Sequence, residues 1–350
     1  MKSKDVYSPY KFAHYMPELT EIKAGNIVAP SNMQLDLVNA CTNKCVWCYY
    51  LIHNHLDEFS CDDSIPYPDA TRIISQFKGA GGKSVEFTGG GEPLLHKNFG
   101  DISDLTRDLN MDRALVTNGQ LLDRYVETVA DYAWVRVSLD AAYSGSYAII
   151  HRSSEDAFHK VLRNIKLYMK AKSSDCVFGI SAIADENNAA EISDIAKLAK
   201  DLGADNVRIS LAHTPKKGEI FADCWDTLLE EIDKAKDLED ENFKVFSFSN
   251  RIAEIERKSK GGFCYYNHLT TAVGANGAVY PCCYFKYVGK YNLGNLHTES
   301  FQDIWNGEKR EKFLEEVGCD CPGSCWMVGK NAFCRYLMLD KQEVPHLNFP

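Results

Sequence analysis

Three cysteines within eight residues, Cys41-Thr42-Asn43-Lys44-Cys45-Val46-Trp47-Cys48, constrain this chain more than any other stretch. At this spacing three thiolates can take three corners of a [4Fe-4S] cluster, and no further cysteine lies nearer in sequence than Cys61. A cluster with three protein ligands leaves one iron open to a small molecule. A structural zinc site is the competing reading, because zinc normally takes four protein ligands and His53 or His55 could complete the set.

Cysteine usage supports metal binding. The chain of 350 residues holds 13 cysteines and begins MKSKDVYSPYKFAHYMPE, which lacks the apolar core of a signal peptide. A reducing, cytoplasmic setting is expected, where cysteines serve metals more often than disulfides. Three form the opening motif, seven fall between Cys264 and Cys334, and the scattered Cys61, Cys176 and Cys224 read as buried packing residues. No apolar run is long enough to cross a bilayer, so no membrane partner is expected. A net charge of −10 without a basic block disfavours nucleic acid.

Around the motif runs a regular alternation. Residues 1–32 form a lead-in with a short helix near Pro17–Ala24. Met33–Val38 alternates apolar and polar residues after Pro30-Ser31-Asn32 and reads as a strand, with the cysteines on the loop at its C-terminal end. Strands at 84–88, 113–117, 134–138, 177–184 and 206–211 follow, separated by helices at 64–79, 99–110, 121–132, 155–172 and 189–202. Six strand-then-helix units predict an α/β fold with a parallel sheet and right-handed crossovers. Every chemically interesting loop falls at a strand's C-terminal end, where barrel-type folds place their sites. Six units in place of eight predict a barrel open along one side. Past residue 240 the alternation stops, and 241–350 reads as a small domain with a thin apolar core that metal would staple.

CxxxCxxC after the first strand of such a series resembles the signature of the radical S-adenosylmethionine (SAM) superfamily, with aromatic Trp47 before the third cysteine. The resemblance implies a partial (β/α)6 TIM-like barrel over 33–240, a SAM-binding [4Fe-4S] cluster on Cys41, Cys45 and Cys48, and SAM on the open iron. It implies reductive cleavage of SAM, hydrogen abstraction from a substrate, and an electron donor such as flavodoxin or ferredoxin. Gly89-Gly90-Gly91-Glu92-Pro93, ending the second strand, resembles the family's GGE motif, so Gly90, Gly91 and Glu92 are expected at the SAM amino group. Ser138 and Asp140 match the fourth-strand position that meets the SAM ribose or carboxylate. Arg152 is placed like an arginine that pairs with that carboxylate. His96 reads as a structural histidine, and the tyrosine pairs at 49–50 and 265–266 as packing.

The later cysteines resemble a SPASM or twitch extension holding one or two auxiliary clusters. A strand at Ala278–Tyr280 after Gly277 would form a hairpin that brings Cys264 and Cys282 together. Cys319, Cys321, Cys325 and Cys334 are candidates for the remaining ligands, with Cys321 and Cys325 preferred. The Cys319-x-Cys321-xxx-Cys325 spacing departs from the usual CxxC, so one auxiliary [4Fe-4S] cluster is expected. The substrate is expected to be a small molecule such as a sugar or aminocyclitol, or else a ribosomally made peptide. Only about 32 residues precede the first strand, too few for the leader-binding domain of many peptide-modifying relatives, so that alternative expects a separate leader-binding partner. A non-catalytic iron–sulfur electron-transfer protein is the reading from another class.

Overall fold

The computed structural model describes residues 6–53, 55–212, 224–247, 263–316, 325 and 327–343. The expected alternation is present. Strands β1 (Asn32–Asp36), β2 (Ser84–Thr88), β3 (Asp112–Thr117), β4 (Trp134–Ser138), β5 (Val177–Ala184) and β6 (Asn206–Leu211) pair in parallel, each with the next. Their odd and even residues divide the work. In β2, Val85 and Phe87 are fully buried against the helices, whereas Ser84, Glu86 and Thr88 lie half-buried on the opposite face.

Helices cover the outer face because their apolar residues recur every three or four positions. In Tyr67–Gly79, Ala70, Ile73, Ile74 and Phe77 are buried, and Pro68 in the first turn costs no hydrogen bond. Glu155–Ala171 is capped by Ser154 Oγ, which accepts from the Ala157 amide at 3.2 Å, and buries Phe158, Val161, Ile165 and Tyr168. The stretch expected as one helix over 121–132 is broken into turns at Leu122–Arg124 and Val126–Val129. Asn164 Nδ2 takes the carbonyls of Gly119 and Gln120 and the Asp123 carboxylate, which holds the chain in the turned conformation.

The parallel pattern does not stop at residue 240. β7 (Lys244–Ser247) adds to β6, and β8 (Thr270–Val273) pairs in parallel with β1 on the other side. β8 then forms an antiparallel hairpin with β9 (Ala278–Tyr280) through Gly277, whose φ of 77° is the left-handed conformation this turn needs. β10 (Gly294–Asn295) closes the order β10-β9-β8-β1-β2-β3-β4-β5-β6-β7, an open sheet among the described residues. The described part of the C-terminal segment is not confined to the separate thin core expected of it, although Ala272, Ala278, Tyr280 and Tyr287 do form a small cluster with Leu56. Phe285, Leu293, Leu296, Phe301, Ile304 and Trp305 join the barrel's own apolar core. Phe301 meets Phe77 edge-on at 5.3 Å, and Trp305 Nε1 donates to the Val28 carbonyl at 2.8 Å. Among the described residues no helix is long and apolar enough to cross a membrane.

Candidate functional site

A cavity of about 850 Å³ opens at the C-terminal ends of the strands. Cys41, Cys45 and Cys48 line it together with Gly89–Glu92 after β2, Thr117 and Asn118 at the end of β3, and Ser138 at the end of β4. Backbone bonds from other loops fix the cysteine loop. The Lys44 amide donates to the His151 carbonyl at 3.2 Å and the Val46 amide to the Ile150 carbonyl at 2.9 Å. The helix Ser144–His151, which ends in those carbonyls, was not anticipated from its Ser-Gly-Ser start; packing of Tyr147 and Ile150 holds it.

The surroundings suit three thiolates. Polar groups face the sulfurs, with the Asn43 amide 3.5 Å and Asn118 Nδ2 3.8 Å from Cys41 Sγ, and His151 Nδ1 3.2 Å from Cys45 Sγ. Desolvation inside the cavity pushes the Cys41 thiol up to about 11, although that residue is exposed overall, and also raises Cys45 and Cys48. Iron must therefore displace protons on loading. Among the described residues no group of three or more Cys, His, Asp or Glu side chains could hold a single metal ion. His55, offered as a zinc ligand, has its Nε2 3.0 Å from the Tyr49 hydroxyl, and the His53 ring packs at a tilt against the same tyrosine. A cluster, by contrast, spreads its thiolates over separate irons, so this donor set fits an iron–sulfur cluster better than zinc.

The glycine turn is cut to fit this loop. A side-chain carbon at Gly91 would strike the backbone of Asn39 and Ala40, and one at Gly90 would strike the Asn39 amide. The Glu92 amide donates to the Ala40 carbonyl at 2.9 Å, and the carboxylate turns inward. It accepts from Thr117 Oγ1 and the Asn118 amide at 2.7 Å each and from the Leu94 amide at 3.2 Å. Burial pushes the Glu92 carboxyl up from 4.5 to about 7, against those three hydrogen bonds. A carboxyl raised in the folded state holds its proton more tightly there than in the unfolded chain. Its contribution to stability is therefore full below about pH 4.5 and is lost as pH rises through about 7. In SAM-free protein, Glu92→Gln should flatten that fall in thermal-unfolding curves taken across the window. An unaltered slope would count against this titration.

Of the other expected residues, Trp47 lines the cavity and its ring meets His151 edge-on at 6.2 Å. Arg152 does not line it; this residue caps its helix with a φ of 44° and its side chain is exposed. Asp140 is fully buried behind the wall, its Oδ1 accepting from the Ile183 amide at 2.6 Å. Asn118, at the end of β3, ties to the cysteine loop, since its Nδ2 donates to Thr42 Oγ1 at 2.8 Å. His96 is structural, bonded through Nε2 to the Ile65 carbonyl at 2.8 Å.

Several wall residues escaped the sequence reading. Ser138, Ser181 and Arg208 share one register line across β4, β5 and β6, which puts Arg208 about 10 Å from Ser138 at two strand spacings. Ser210 Oγ accepts from Arg208 Nε at 3.2 Å. Period-two alternation on β5 and β6 was the available signal. Tyr49 and Tyr50 lie on the wall as well as packing, and Cys61, expected to be buried, is exposed there. Cys61 follows no apolar pattern; it stands in a turn, Phe59-Ser60-Cys61-Asp62, beside the cysteine loop.

The C-terminal segment reaches the same cavity through Cys283 and Tyr284. Next to them Cys282 is buried, and after burial itself the neighbouring sulfurs of Cys283, Cys325 and Cys264 contribute to pushing its thiol well above the usual range. Cys264 Sγ accepts from Asn331 Nδ2 at 3.2 Å and Cys325 Sγ from the Met327 amide at 3.4 Å. Thus the hairpin carries Cys264 and Cys282 towards Cys325. Cys334 is buried among Phe12, Leu19, Ile22, Tyr265 and Leu269, and after burial itself the neighbouring sulfur of Cys264 helps push its thiol up to about 11. Cys319 and Cys321 lie outside the described residues.

Comparison with known proteins bears on this arrangement. The family model of the radical SAM superfamily matches residues 35–199, and that of an iron–sulfur cluster-binding domain, SPASM, matches 264–327. An AdoMet-dependent heme synthase of Methanosarcina barkeri is 25% identical over 88% of this chain and 91% of its own length. The antilisterial bacteriocin subtilosin biosynthesis protein AlbA of Bacillus subtilis is 25% identical over 87% of this chain and 68% of its own. Streptococcus suis SuiB, solved with its precursor peptide SuiA, superposes with a TM-score of 0.65 at 19% identity, covering 90% of this chain and 73% of that one.

Proposed function

We propose that this chain, which belongs to the radical SAM superfamily and carries a C-terminal SPASM domain, modifies a ribosomally made peptide. The observation that carries the reading is one continuous cavity reaching from the cysteine loop to Cys283 and Tyr284, on a sheet whose two ends do not meet among the described residues. Such a cleft can take one side chain of an extended chain while the rest of it runs along the open side.

When bound, the cluster and SAM supply an electron and a 5′-deoxyadenosyl radical that removes a hydrogen atom from the substrate. Cys41, Cys45 and Cys48 would hold the cluster. Gly90 and Gly91 let the chain close on the cysteine loop, and Glu92 offers a buried acceptor for the SAM amino group. Ser138, on the cavity wall at the end of β4, would contact the SAM ribose or carboxylate. Trp47 and the tyrosines Tyr49 and Tyr50 shed water from the wall. Cys264, Cys282 and Cys325 would hold an auxiliary cluster near the substrate, with a ligand from the Cys319–Cys321 stretch.

Support for a peptide over a sugar or aminocyclitol comes from the relatives. AlbA is named for bacteriocin biosynthesis, and SuiB shares the fold and was solved with a precursor peptide. The test is to search the neighbouring genes for a short precursor peptide and to co-express any such peptide anaerobically with the chain, followed by mass spectrometry. A mass change on the peptide matched by equimolar 5′-deoxyadenosine is expected. SAM cleavage coupled to a small molecule and never to the peptide would return the small-molecule reading, which the heme synthase relative keeps in view.

A further inference from the structure

His151 has no role in the reading above, yet it stands against one of the three cysteines. Its ring is buried, with 1% of its surface exposed, and so is Asp140, at 0%. Nδ1 lies 3.2 Å from Cys45 Sγ, and Nε2 lies 3.3 Å from Asp140 Oδ2. That second approach is off the hydrogen-bond axis, and neither of those two atoms has another partner. A buried imidazole and a buried carboxylate with no alternative partners are costly unless they serve each other.

The ring cannot swing away. Tyr147 packs on it at 4.2 Å and Trp47 meets its edge, while the His151 carbonyl is tied to the Lys44 amide of the cysteine loop. Asp140 is held in turn by the Ile183 amide, and its own carbonyl accepts from Asn188 Nδ2 at 2.7 Å. Two groups face Nδ1. Asn43 Nδ2 stands 3.4 Å away with its amide oxygen already taken by Gln120 Nε2, so it offers Nδ1 no acceptor. The Cys45 sulfur, once a thiolate, is the acceptor within reach.

We propose that His151 is a positioning residue that donates an Nδ1–H hydrogen bond to the Cys45 thiolate of the SAM-binding cluster, with Asp140 fixing the ring from its far side. Donation from Nδ1 leaves Nε2 of the neutral ring an acceptor, which Asp140 Oδ2, 3.3 Å away, serves as a protonated carboxyl; burial pushes that carboxyl up to about 8. Hydrogen bonds to the sulfurs are among the factors that set a cluster's reduction potential. The added electron of the reduced cluster raises the negative charge on its sulfurs, so the donor favours the reduced form. The inference is independent of which substrate is used. It rests on Cys45 as a cluster ligand, which the iron count of the triple-cysteine variant tests separately.

The measurement is a potentiometric titration of the anaerobically reconstituted full chain, followed by electron paramagnetic resonance. The cluster of interest is the one whose signal changes when SAM is added. His151→Leu, which keeps the bulk and removes the donor, should shift its midpoint to more negative potential at unchanged iron content. His151→Gln should move it back towards wild type. Asp140→Leu, which takes the donor from Nε2, should shift it the same way as His151→Leu while leaving the auxiliary signal in place, and Asp140→Asn, whose amide can still donate, should stay near wild type. A His151→Leu midpoint equal to wild type at full iron content overturns the proposal. Loss of the cluster from His151→Leu overturns it too, since the ring would then be a prop for the loop and no more.

Discussion

Replacing Cys41, Cys45 and Cys48 together by alanine should remove about four irons per chain and bring 5′-deoxyadenosine formation down to background. The three thiols share one loop on one cavity wall, so replacing all three leaves that loop no cysteine with which to hold the cluster. The loop itself should survive. Its bonds to the carbonyls of Ile150 and His151 run through the backbone amides of Lys44 and Val46, and no cysteine side chain takes part. Circular dichroism should therefore match wild type while iron analysis does not. Iron on Cys264, Cys282 and Cys325 should persist, so what remains counts the auxiliary complement. An iron content equal to wild type would sink the ligand assignment.

The second large effect concerns stability. Lys286 and Asp36 form an ion pair at 2.7 Å with side chains 2% and 0% exposed. Tyr287 adds its hydroxyl, within 2.8 Å of the other Asp36 oxygen and 2.7 Å of Asn39 Oδ1, while accepting from the Ala275 amide at 2.9 Å. Tyr287 holds this pose with a φ of 62°, a strained value for a residue with a side chain. Lys286→Met leaves a buried carboxylate without its cation and should cost about 3–5 kcal/mol. Combining it with Asp36→Asn, which removes the orphaned charge, should recover much of the loss. Anaerobic denaturant unfolding of the three proteins decides. Equal midpoints for Lys286→Met and wild type would mean that water reaches Asp36 in solution.

Long, strongly patterned elements were legible in the sequence. Ser84–Thr88, Trp134–Ser138, Val177–Ala184 and Asn206–Leu211 stand where alternation put them. Lys244–Ser247 and Thr270–Val273 were not, since four-residue strands have no room for a period, and Thr270–Val273 is buried on both faces. The cysteine loop and the glycine turn were readable because their chemistry is local. What escaped was set by register: Ser181 and Arg208 on neighbouring strands, and His151, brought to Cys45 by a helix that propensity argues against. The pair of Lys286 and Asp36, 250 positions apart, left no local trace at all.

The parallel ladder between β1 and β8 carries a mechanical implication. β1 runs into the loop of Cys41, and β8 turns through β9 into Cys282, so both cysteine sets hang from neighbouring strands of one sheet. Four residue pairs, Asn32–Leu35 with Thr270–Val273, would have to unzip before the two sets could move apart. The gap between them is thus a fixed span and not a hinge. A lineage of such chains that changes its substrate must do so by exchanging side chains on the walls, because the distance between the two centres is written into the backbone.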